Sequence, residues 1–161
     1  MEPLKLKDVA KAVGLSSNSE LQIERISTDT RAICPGSLFV ALKGDRFDGH
    51  QFAQQAADEG AVAILAEAPV TVSRWFPVLT VPSTRAALLQ LAQYYRMQFQ
   101  IPVVAVTGSV GKTTTKEMIV AALSVKYRTL KTEANLNNQI GLPKTLLRLD
   151  HTIEAAVVEM G

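Results

Sequence analysis

A short glycine loop between an apolar segment and a helical segment constrains the fold of this chain more than any other feature. Residues 101–106 are predicted to form a strand, residues 108–113 the loop and residues 114–124 a helix. Glycines let the backbone curl so that successive N–H groups converge on a phosphate, and the positive end of the following helix adds to that field. The order of strand, loop and helix therefore predicts a phosphate-binding loop.

The loop offers the charge and the hydroxyl that a nucleotide site needs. Lys112 is the candidate catalytic residue because its mobile charge can neutralise the β- and γ-phosphates, and the Thr113 hydroxyl can ligate Mg²⁺. The strict motif requires a glycine where the chain has Val106, so the loop is a Gly-x-x-Gly-Lys-Thr variant. A glycine-rich turn with a solvated lysine is the structural alternative. The candidate ATP-binding residues are Gly108, Ser109, Val110, Gly111, Lys112, Thr113 and Thr114.

Glu159 is the second candidate metal ligand beside Thr113. It directly follows residues 155–158, which are apolar and are predicted to form a strand. Ligands of open α/β sheets bind beyond the carboxyl ends of the strands, and a carboxylate placed there can bind Mg²⁺ directly or through water. The alternative is an exposed strand-end glutamate or the capping partner of a helix.

Three polar loops supply candidate substrate-binding groups. The asparagine-rich loop at residues 135–141 offers amides, although such residues also satisfy the backbone of turns. In the first half of the chain, residues 27–31 and residues 43–50 offer hydroxyls, cations and one aromatic ring, which suit a base, a ribose and a diphosphate. Two ordinary surface loops are the alternative there. The candidates are Thr28, Asp29, Thr30, Arg31, Lys43, Arg46, Phe47, Asn135 and Asn138.

Predicted strands and helices alternate along the chain, which indicates an α/β fold with mostly parallel strand pairing. A boundary near Gln100, where a long helix ends, gives domains 1–100 and 101–161. The second domain ends just after a strand without a covering helix, so we expect it to be incomplete. The predicted helices are 8–13, 50–59, 83–99, 114–124 and 143–148, and the predicted strands are 37–42, 61–66, 78–81, 101–106, 129–131 and 155–158.

Composition excludes several classes of protein. The chain has 161 residues, of which 47% are hydrophobic, so a packed core is expected rather than disorder. No apolar run reaches the roughly 20 residues of a membrane helix, and no apolar leader follows Met1. Cys34 is the single cysteine, and no dense Lys/Arg run suggests nucleic-acid binding. We therefore expect a cytoplasmic protein that neither inserts into membranes nor binds nucleic acid.

The motifs, taken in order, resemble the Mur ligases of bacterial peptidoglycan synthesis. They are Thr-Asp-Thr-Arg, Pro-Gly-Ser-Leu-Phe-Val-Ala-Leu-Lys-Gly, Phe-Asp-Gly-His and Thr-Gly-Ser-Val-Gly-Lys-Thr-Thr-Thr-Lys-Glu-Met. Two further segments, Asn-Leu-Asn-Asn-Gln-Ile-Gly-Leu-Pro and Val-Val-Glu-Met-Gly, are most similar to members that join D-alanyl-D-alanine to UDP-N-acetylmuramoyl-tripeptide.

The resemblance implies a fold, an activity and ligands. Family members carry a uridine-nucleotide domain, a central ATPase domain and a C-terminal domain for the amine substrate. This chain resembles a small α/β N-terminal domain that binds the UDP-sugar-peptide, followed by the start of a P-loop-type, mostly parallel ATPase domain. The resemblance implies a monomeric ligase of the bacterial cytoplasm that uses ATP and Mg²⁺, works through an acyl phosphate and forms ADP. The 161 residues alone are expected to be inactive.

Two other functions remain open at this stage. One is another ligase on the same scaffold, either a sister Mur ligase or an enzyme like folylpolyglutamate synthase, although the asparagine-rich segment argues against both. The other is a sugar-nucleotide-binding module without catalysis.

Overall fold

The computed structural model describes residues 1–44, 47–133 and 136–161, and it divides into two compact units. The N-terminal unit comprises Pro3–Leu91. The C-terminal unit comprises Ala92–Gly161 together with Met1–Glu2. Both are α/β units with mostly parallel sheets, which confirms the predicted fold class. Among the described residues, no helix is long and apolar enough to cross a membrane.

The N-terminal unit is built on a four-stranded parallel sheet of order β3-β4-β5-β6, with a two-stranded antiparallel ribbon β1-β2. Its strands are β1 Leu4–Lys5, β2 Gln22–Ile23, β3 Arg25–Ser27, β4 Ser37–Val40, β5 Ala61–Ala66 and β6 Val78–Thr80. Its helices are α1 Leu6–Ala12, α2 Ala53–Asp58 and the start of α3 Thr84–Arg96, with 3-10 turns at Thr30–Ala32 and Gly49–Phe52.

The core of this unit lies on its two central strands. Phe39 of β4 and Ile64 of β5 pair in register and are both buried, and Ala53 and Ala56 of α2 pack into the same cluster. Strands covered on both faces have continuous apolar sequences rather than alternating ones, which is why these two segments could be recognised.

The C-terminal unit holds a three-stranded parallel sheet of order β7-β9-β8. Every residue of the central strand β9 is buried. The register pairs Val106, the last residue of β7, with Glu159, the last residue of β9, so the loop after β7 begins beside Glu159. The strands are β7 Val103–Val106, β8 Thr129–Lys131 and β9 Ala155–Glu159, and the helices are α4 Lys112–Ser124 and α5 Gly141–Leu146.

The first residues of the chain pack into the C-terminal unit through Tyr95. The buried Tyr95 hydroxyl donates to the Leu149 carbonyl at 2.5 Å and accepts from the Glu2 N–H at 2.6 Å. The Glu2 carboxylate in turn accepts from the backbone N–H of His151 at 3.1 Å. Burial raises the pKa of Tyr95 to about 12, so its hydroxyl keeps the proton that it donates.

Several element boundaries differ from those predicted. The predicted helix 50–59 is a 3-10 turn followed by the shorter α2, and α3 starts one residue later than predicted and ends before residue 99. Helices α1, α4 and α5 each begin two residues earlier than predicted. The strands β1, β2 and β3 were not predicted, because two or three residues are too few to show a period.

Candidate functional site

The loop after β7 has the backbone shape that the sequence predicts. Gly108 has φ 144° and Gly111 has φ 78°, values at which a residue with a side chain would be strained. Gly111 occupies the N-cap position of α4 and makes no side-chain hydrogen bond to the helix. The first hydrogen bond of the helix runs from the Thr115 N–H to the Gly111 carbonyl at 2.9 Å. The amides before Thr115 therefore lie at the positive end of a 13-residue helix, where anions bind.

Lys112 lies over this loop. Its Nζ donates to the Gly108 carbonyl at 2.7 Å, at an exposed position. The residues from Gly108 to Gly111 are exposed as well, and Val110 is 91% exposed. An ammonium group, a helix N-terminus and curled backbone amides are thus presented to solvent in one place, which is the arrangement that binds phosphate.

Thr113 and Glu159, the two predicted metal ligands, are in contact. The Thr113 hydroxyl donates to Glu159 Oε2 at 3.1 Å. Because the hydroxyl gives its proton to the carboxylate, the lone pairs of its oxygen remain available to a cation. Glu159 is only 3% exposed, so the alternative of an exposed strand-end residue does not hold.

Three further side chains hold Glu159. Asn137 Nδ2 donates to Oε1 at 3.0 Å, and Lys116 Nζ lies 3.5 Å from Oε2. The backbone N–H of Glu159 donates to the Thr132 hydroxyl at 3.0 Å. The Asn137 hydrogen bond lowers the pKa of the Glu159 carboxyl most, and Thr113 and Lys116 add to this effect against the desolvation that opposes it. The carboxyl is therefore ionised at neutral pH.

The donor set fits magnesium bound together with a nucleotide. Within the part of the chain that the structure describes, no cluster of three or more His, Cys, Asp or Glu side chains could hold a metal. Thr113 and Glu159 instead offer one hydroxyl and one ionised carboxylate. Mg²⁺ commonly takes one or two protein oxygens and completes its shell with phosphate oxygens and water.

The asparagine loop is fixed by its close approach to α5. Asn138 Oδ1 accepts the backbone N–H groups of Ile140 at 3.0 Å and Gly141 at 2.8 Å, so this predicted substrate residue also caps α5. A Cβ on Gly141 would lie 2.5 Å from the carbonyl carbon of Leu136, so only glycine fits there. The predicted residue Asn135 lies outside the described residues.

The first candidate loop of the N-terminal unit follows β3 and contains Thr28, Asp29, Thr30 and Arg31. Asp29 caps the 3-10 turn through the Arg31 N–H and binds the Arg31 guanidinium at Nε (3.0 Å) and Nη2 (2.7 Å). The Arg31 side chain is 87% exposed. Thr28 and Thr30 are half-buried.

The second candidate loop of this unit follows β4. The backbones of Lys43 and Asp48 form an isolated antiparallel β-bridge. The Gly44 N–H donates to the Phe47 carbonyl at 2.8 Å. Phe47 is 50% exposed and stacks on Phe52 with ring centroids 5.2 Å apart. The predicted residue Arg46 lies outside the described residues. Because β3 and β4 are parallel neighbours, both loops leave the same edge of the sheet.

A buried network near this edge was not predicted. His50 is 8% exposed, its Nδ1 lies 2.6 Å from Asp48 Oδ1, and its Nε2 accepts the Glu67 N–H at 3.0 Å. The Glu67 carboxylate accepts both the N–H (2.7 Å) and the hydroxyl (2.9 Å) of Thr84, the first residue of α3. Since these partners lie 17 residues apart, no local pattern could show the network.

The sequence analysis also missed Lys116, Thr132 and Asn137 around Glu159. Lys116 carried a usable signal, since it lies three residues after Thr113 and four after Lys112, on the same face of α4. Asn137 lies in the predicted loop, but composition could not distinguish it from its neighbour Asn138.

Two domain descriptions of one enzyme family match consecutive parts of the chain. Residues 22–105 match the "Mur ligase family, catalytic domain", and residues 106–161 match the "Mur ligase middle domain".

Proteins similar to this chain come from several bacteria. The UDP-N-acetylmuramoyl-tripeptide–D-alanyl-D-alanine ligase of Escherichia coli K12 is 48% identical over 148 residues, which cover 92% of this chain and 32% of that protein. The crystal structure of MurF from Acinetobacter baumannii is 40% identical with a TM-score of 0.89, and the match covers all of this chain and 36% of that chain. MurF ligase from Thermotoga maritima in complex with ADP is 40% identical with a TM-score of 0.77, over 84% of this chain and 31% of that chain.

The chain therefore spans about a third of the length of these relatives. Since the first domain description alone matches residues 22–105, more than half of the sequence, the chain belongs to the Mur ligase family.

Proposed function

We propose that this chain supplies the nucleotide-binding parts of an ATP-dependent ligase that joins D-alanyl-D-alanine to UDP-N-acetylmuramoyl-tripeptide, as the name of its E. coli relative describes. In this proposal residues 1–100 bind the uridine nucleotide and residues 101–161 bind ATP. Because the chain spans about a third of such relatives, turnover is assigned to a polypeptide of their full length. Only binding is assigned to the 161 residues alone.

The contact between Thr113 and Glu159 beside the glycine loop carries this proposal. A glycine turn with a solvated lysine would need no buried, ionised carboxylate 3.1 Å from the hydroxyl that follows the lysine. The combination of exposed amides, Lys112 and this hydroxyl–carboxylate pair suits a magnesium nucleotide. The MurF structure with bound ADP covers 84% of this chain, which supports the same assignment.

The proposed reaction forms a peptide bond in two steps. The tripeptide carboxylate attacks the γ-phosphorus of ATP, which gives an acyl phosphate and ADP. The amine of D-alanyl-D-alanine then attacks the acyl carbon, and phosphate leaves as the amine loses a proton. The first step brings two anions together, so it needs positive charge that is already in place.

The residues of this chain would provide that charge without forming a covalent bond to the substrate. The loop amides and the Lys112 ammonium would bind the phosphates and neutralise the charge that moves onto ADP. Mg²⁺, when bound, would screen the phosphate oxygens as a Lewis acid. Thr113 and Glu159 would hold it, and the contacts of Glu159 keep that carboxylate ionised and fixed.

The N-terminal unit would bind the uridine nucleotide at the carboxyl edge of its sheet. Arg31 and Lys43 offer cations for the diphosphate, the Phe47 ring offers a face for the base, and Thr28 offers a hydroxyl. Ligands of open parallel sheets bind at this edge.

A binding measurement with the 161-residue chain tests the ATP assignment. Calorimetric titration is expected to show ATP binding in the presence of Mg²⁺ and weaker ATP binding in EDTA. The non-hydrolysable analogue with a β,γ-imido bridge should bind in the same way. A folded chain that shows no ATP binding at millimolar ATP concentration would contradict the proposal.

A hybrid enzyme tests the ligation itself. In the hybrid, this chain replaces the matching third of the E. coli relative. We expect ATP-dependent formation of the UDP-muramoyl-pentapeptide and equimolar ADP, measured by chromatography. A folded hybrid that binds ATP but forms no product would argue for a binding module without catalysis.

A further inference from the structure

Lys116 is the residue whose position the proposed function leaves unexplained. It is 2% exposed, and it is the one lysine or arginine that is buried among residues 1–44, 47–133 and 136–161. Burying a charged ammonium group costs on the order of several kcal/mol of folding free energy unless the charge is paired and hydrogen-bonded. A lysine therefore stays at such a place only with well-placed partners.

The partners of Lys116 include the Glu159 carboxylate and the residue that binds the Glu159 backbone. Its Nζ donates to the Thr132 carbonyl at 3.0 Å and lies 3.3 Å from Glu117 Oε1 and 3.5 Å from Glu159 Oε2. Thr132 is itself fully buried, and its hydroxyl accepts the Glu159 N–H at 3.0 Å. Lys116, Thr132 and Glu159 thus form a closed ring of contacts that joins α4, the end of β8 and the end of β9.

The ring fixes Glu159 relative to the glycine loop. Thr113 and Lys116 lie one helical turn apart on α4, and both contact the same oxygen, Oε2 of Glu159. Two contacts from one rigid helix determine where that oxygen lies, while Asn137 holds the other oxygen. Without Lys116, Oε2 would keep the Thr113 hydroxyl contact alone of these two, and its position would be less tightly determined.

We propose that Lys116 is a positioning residue of the magnesium-nucleotide site, which holds the Glu159 carboxylate against Thr113 in the arrangement that receives the metal. The inference rests on the proposed function. Lys116 acts through Glu159, so its loss should weaken the contribution of the metal and leave the loop amides and Lys112 unaffected.

The test compares ATP binding with and without metal in the 161-residue chain. The magnesium gain is defined as the ATP dissociation constant in EDTA divided by that in Mg²⁺. Residues that orient a metal ligand typically change metal affinity 10- to 100-fold when replaced, so Lys116→Met should lower the gain by about tenfold. The dissociation constant in EDTA should stay at the wild-type value, and Lys116→Arg should recover part of the gain.

Lys131→Met is the matched control. Lys131 lies on β8 and pairs with Glu117 at 2.6 Å, but it does not contact Glu159. The same substitution there removes a lysine that shares a partner with Lys116, and it should leave the magnesium gain unchanged. Paramagnetic broadening by Mn²⁺ in place of Mg²⁺ gives a second readout, which should weaken at Asn137 and Thr113 only in the Lys116→Met variant.

If Lys116→Met does not fold, as judged by circular dichroism, Lys116→Gln carries the test, because an amide can still donate to the Thr132 carbonyl. Two results would overturn the inference: an unchanged magnesium gain, which includes an equal loss of affinity with and without metal, or a larger gain. A larger gain would mean that Lys116 repels the metal, and an equal loss would mean that it only supports the fold.

The proposed function can fail separately. A wild-type chain that binds no ATP overturns the function and the inference together. If the wild type binds ATP and shows a magnesium gain, the Lys116 variants decide the inference alone, whatever a Lys112 variant does.

Discussion

Each unit has a glutamate at the carboxyl end of a parallel strand, and the partners of the two glutamates differ. Glu159 ends β9 and is held by side chains from α4 and the asparagine loop. Glu67 follows β5, and its Oε2 accepts the backbone N–H and hydroxyl of Thr84 at the start of α3. The first carboxylate lies beside the glycine loop after β7, whereas the second caps a helix.

The comparison teaches how to separate a candidate ligand from a structural carboxylate. The pKa of both groups is lowered, so a lowered pKa alone does not distinguish them. The cause of the lowered pKa distinguishes them. Two hydrogen bonds from Thr84 lower the pKa of Glu67 most, whereas side chains from separate elements lower the pKa of Glu159. The Glu67 carboxylate caps a helix N-terminus, which is a sufficient structural role. The Glu159 carboxylate instead lies beside a hydroxyl and exposed backbone amides.

The largest expected effect tests the C-terminal side of the comparison. Lys112→Ala in the hybrid ligase should lower the rate of ligation by about a hundredfold or more, since it removes charge that stabilises the transferring phosphoryl group. Lys112 is half-buried and its Nζ bonds to a loop carbonyl at an exposed position, so the variant should fold normally. Initial rates of ADP release measure the effect. Lys126→Ala, which removes an exposed lysine beyond α4, is the control, and near-normal turnover of Lys112→Ala would contradict the assignment.

The next effect separates the stabilities of the two units. Gly141→Ala should destabilise the C-terminal unit by about 1–3 kcal/mol, because the added Cβ overlaps the Leu136 backbone and the loop must shift. Hydrogen exchange resolved by residue should show faster exchange in α5 and β9 and unchanged exchange in β4 and β5. Gly44→Ala, whose Cβ would meet its nearest atom at 3.9 Å, is the control. Equal behaviour of the two variants would show that the close approach carries no strain.

A pH measurement tests the structural role of Glu67. Its pKa is lowered in the folded chain by the Thr84 hydrogen bonds, so its stabilising effect is complete above the unfolded value near 4.5. That effect is lost as the pH falls through the lower, folded value. Glu67→Gln should therefore reduce the loss of stability of the N-terminal unit below about pH 4.5, measured by denaturant unfolding at several pH values. An unchanged acid dependence would mean that the Thr84 contacts do not cap α3 in solution.

The smallest effect concerns the exposed loops of the N-terminal unit. Arg31→Ala should weaken binding of UDP-N-acetylmuramoyl-tripeptide several-fold at low salt, and the difference should shrink as ionic strength rises and screens the cation. The pair with Asp29 is exposed to solvent and screened by it, so stability should change little. Amide shifts of the 161-residue chain measure the affinity. Shifts confined to the C-terminal unit would place the uridine nucleotide elsewhere.

The fold could be predicted where local patterns carry it. The apolar segment Ala61–Ala66 predicted β5 with its correct bounds, because buried parallel strands are continuously apolar. Thr129–Lys131 also forms the predicted strand β8, although only its central residue is apolar and buried. The helix predicted over 50–59 was wrong in its first part, since Asp48 caps a 3-10 turn there before α2 begins. Trp75 is 85% exposed, which shows that hydrophobicity alone does not determine burial.

The candidate site could be predicted where a local motif or the end of a strand marks it. The glycine loop is a local motif, and the strand-end rule led to Glu159. Lys116 was missed because lysines are rarely buried, and its partners Thr132 and Glu159 lie 16 and 43 residues away. Asn137 differs from Asn138 only in the direction of its side chain, which no sequence pattern records. The roles of these residues in binding stay predictions.

The attachment of Glu2 to the C-terminal unit has a consequence for synthesis on the ribosome. All residues of the N-terminal unit lie between Pro3 and Leu91, so it can fold once that stretch has left the exit tunnel. Glu2 bonds to Tyr95 and His151, which are 93 and 149 residues away. The first two residues therefore cannot complete these contacts until residues up to His151 have been translated. A tag fused before Met1 would therefore affect the C-terminal unit, which is made after the N-terminal unit.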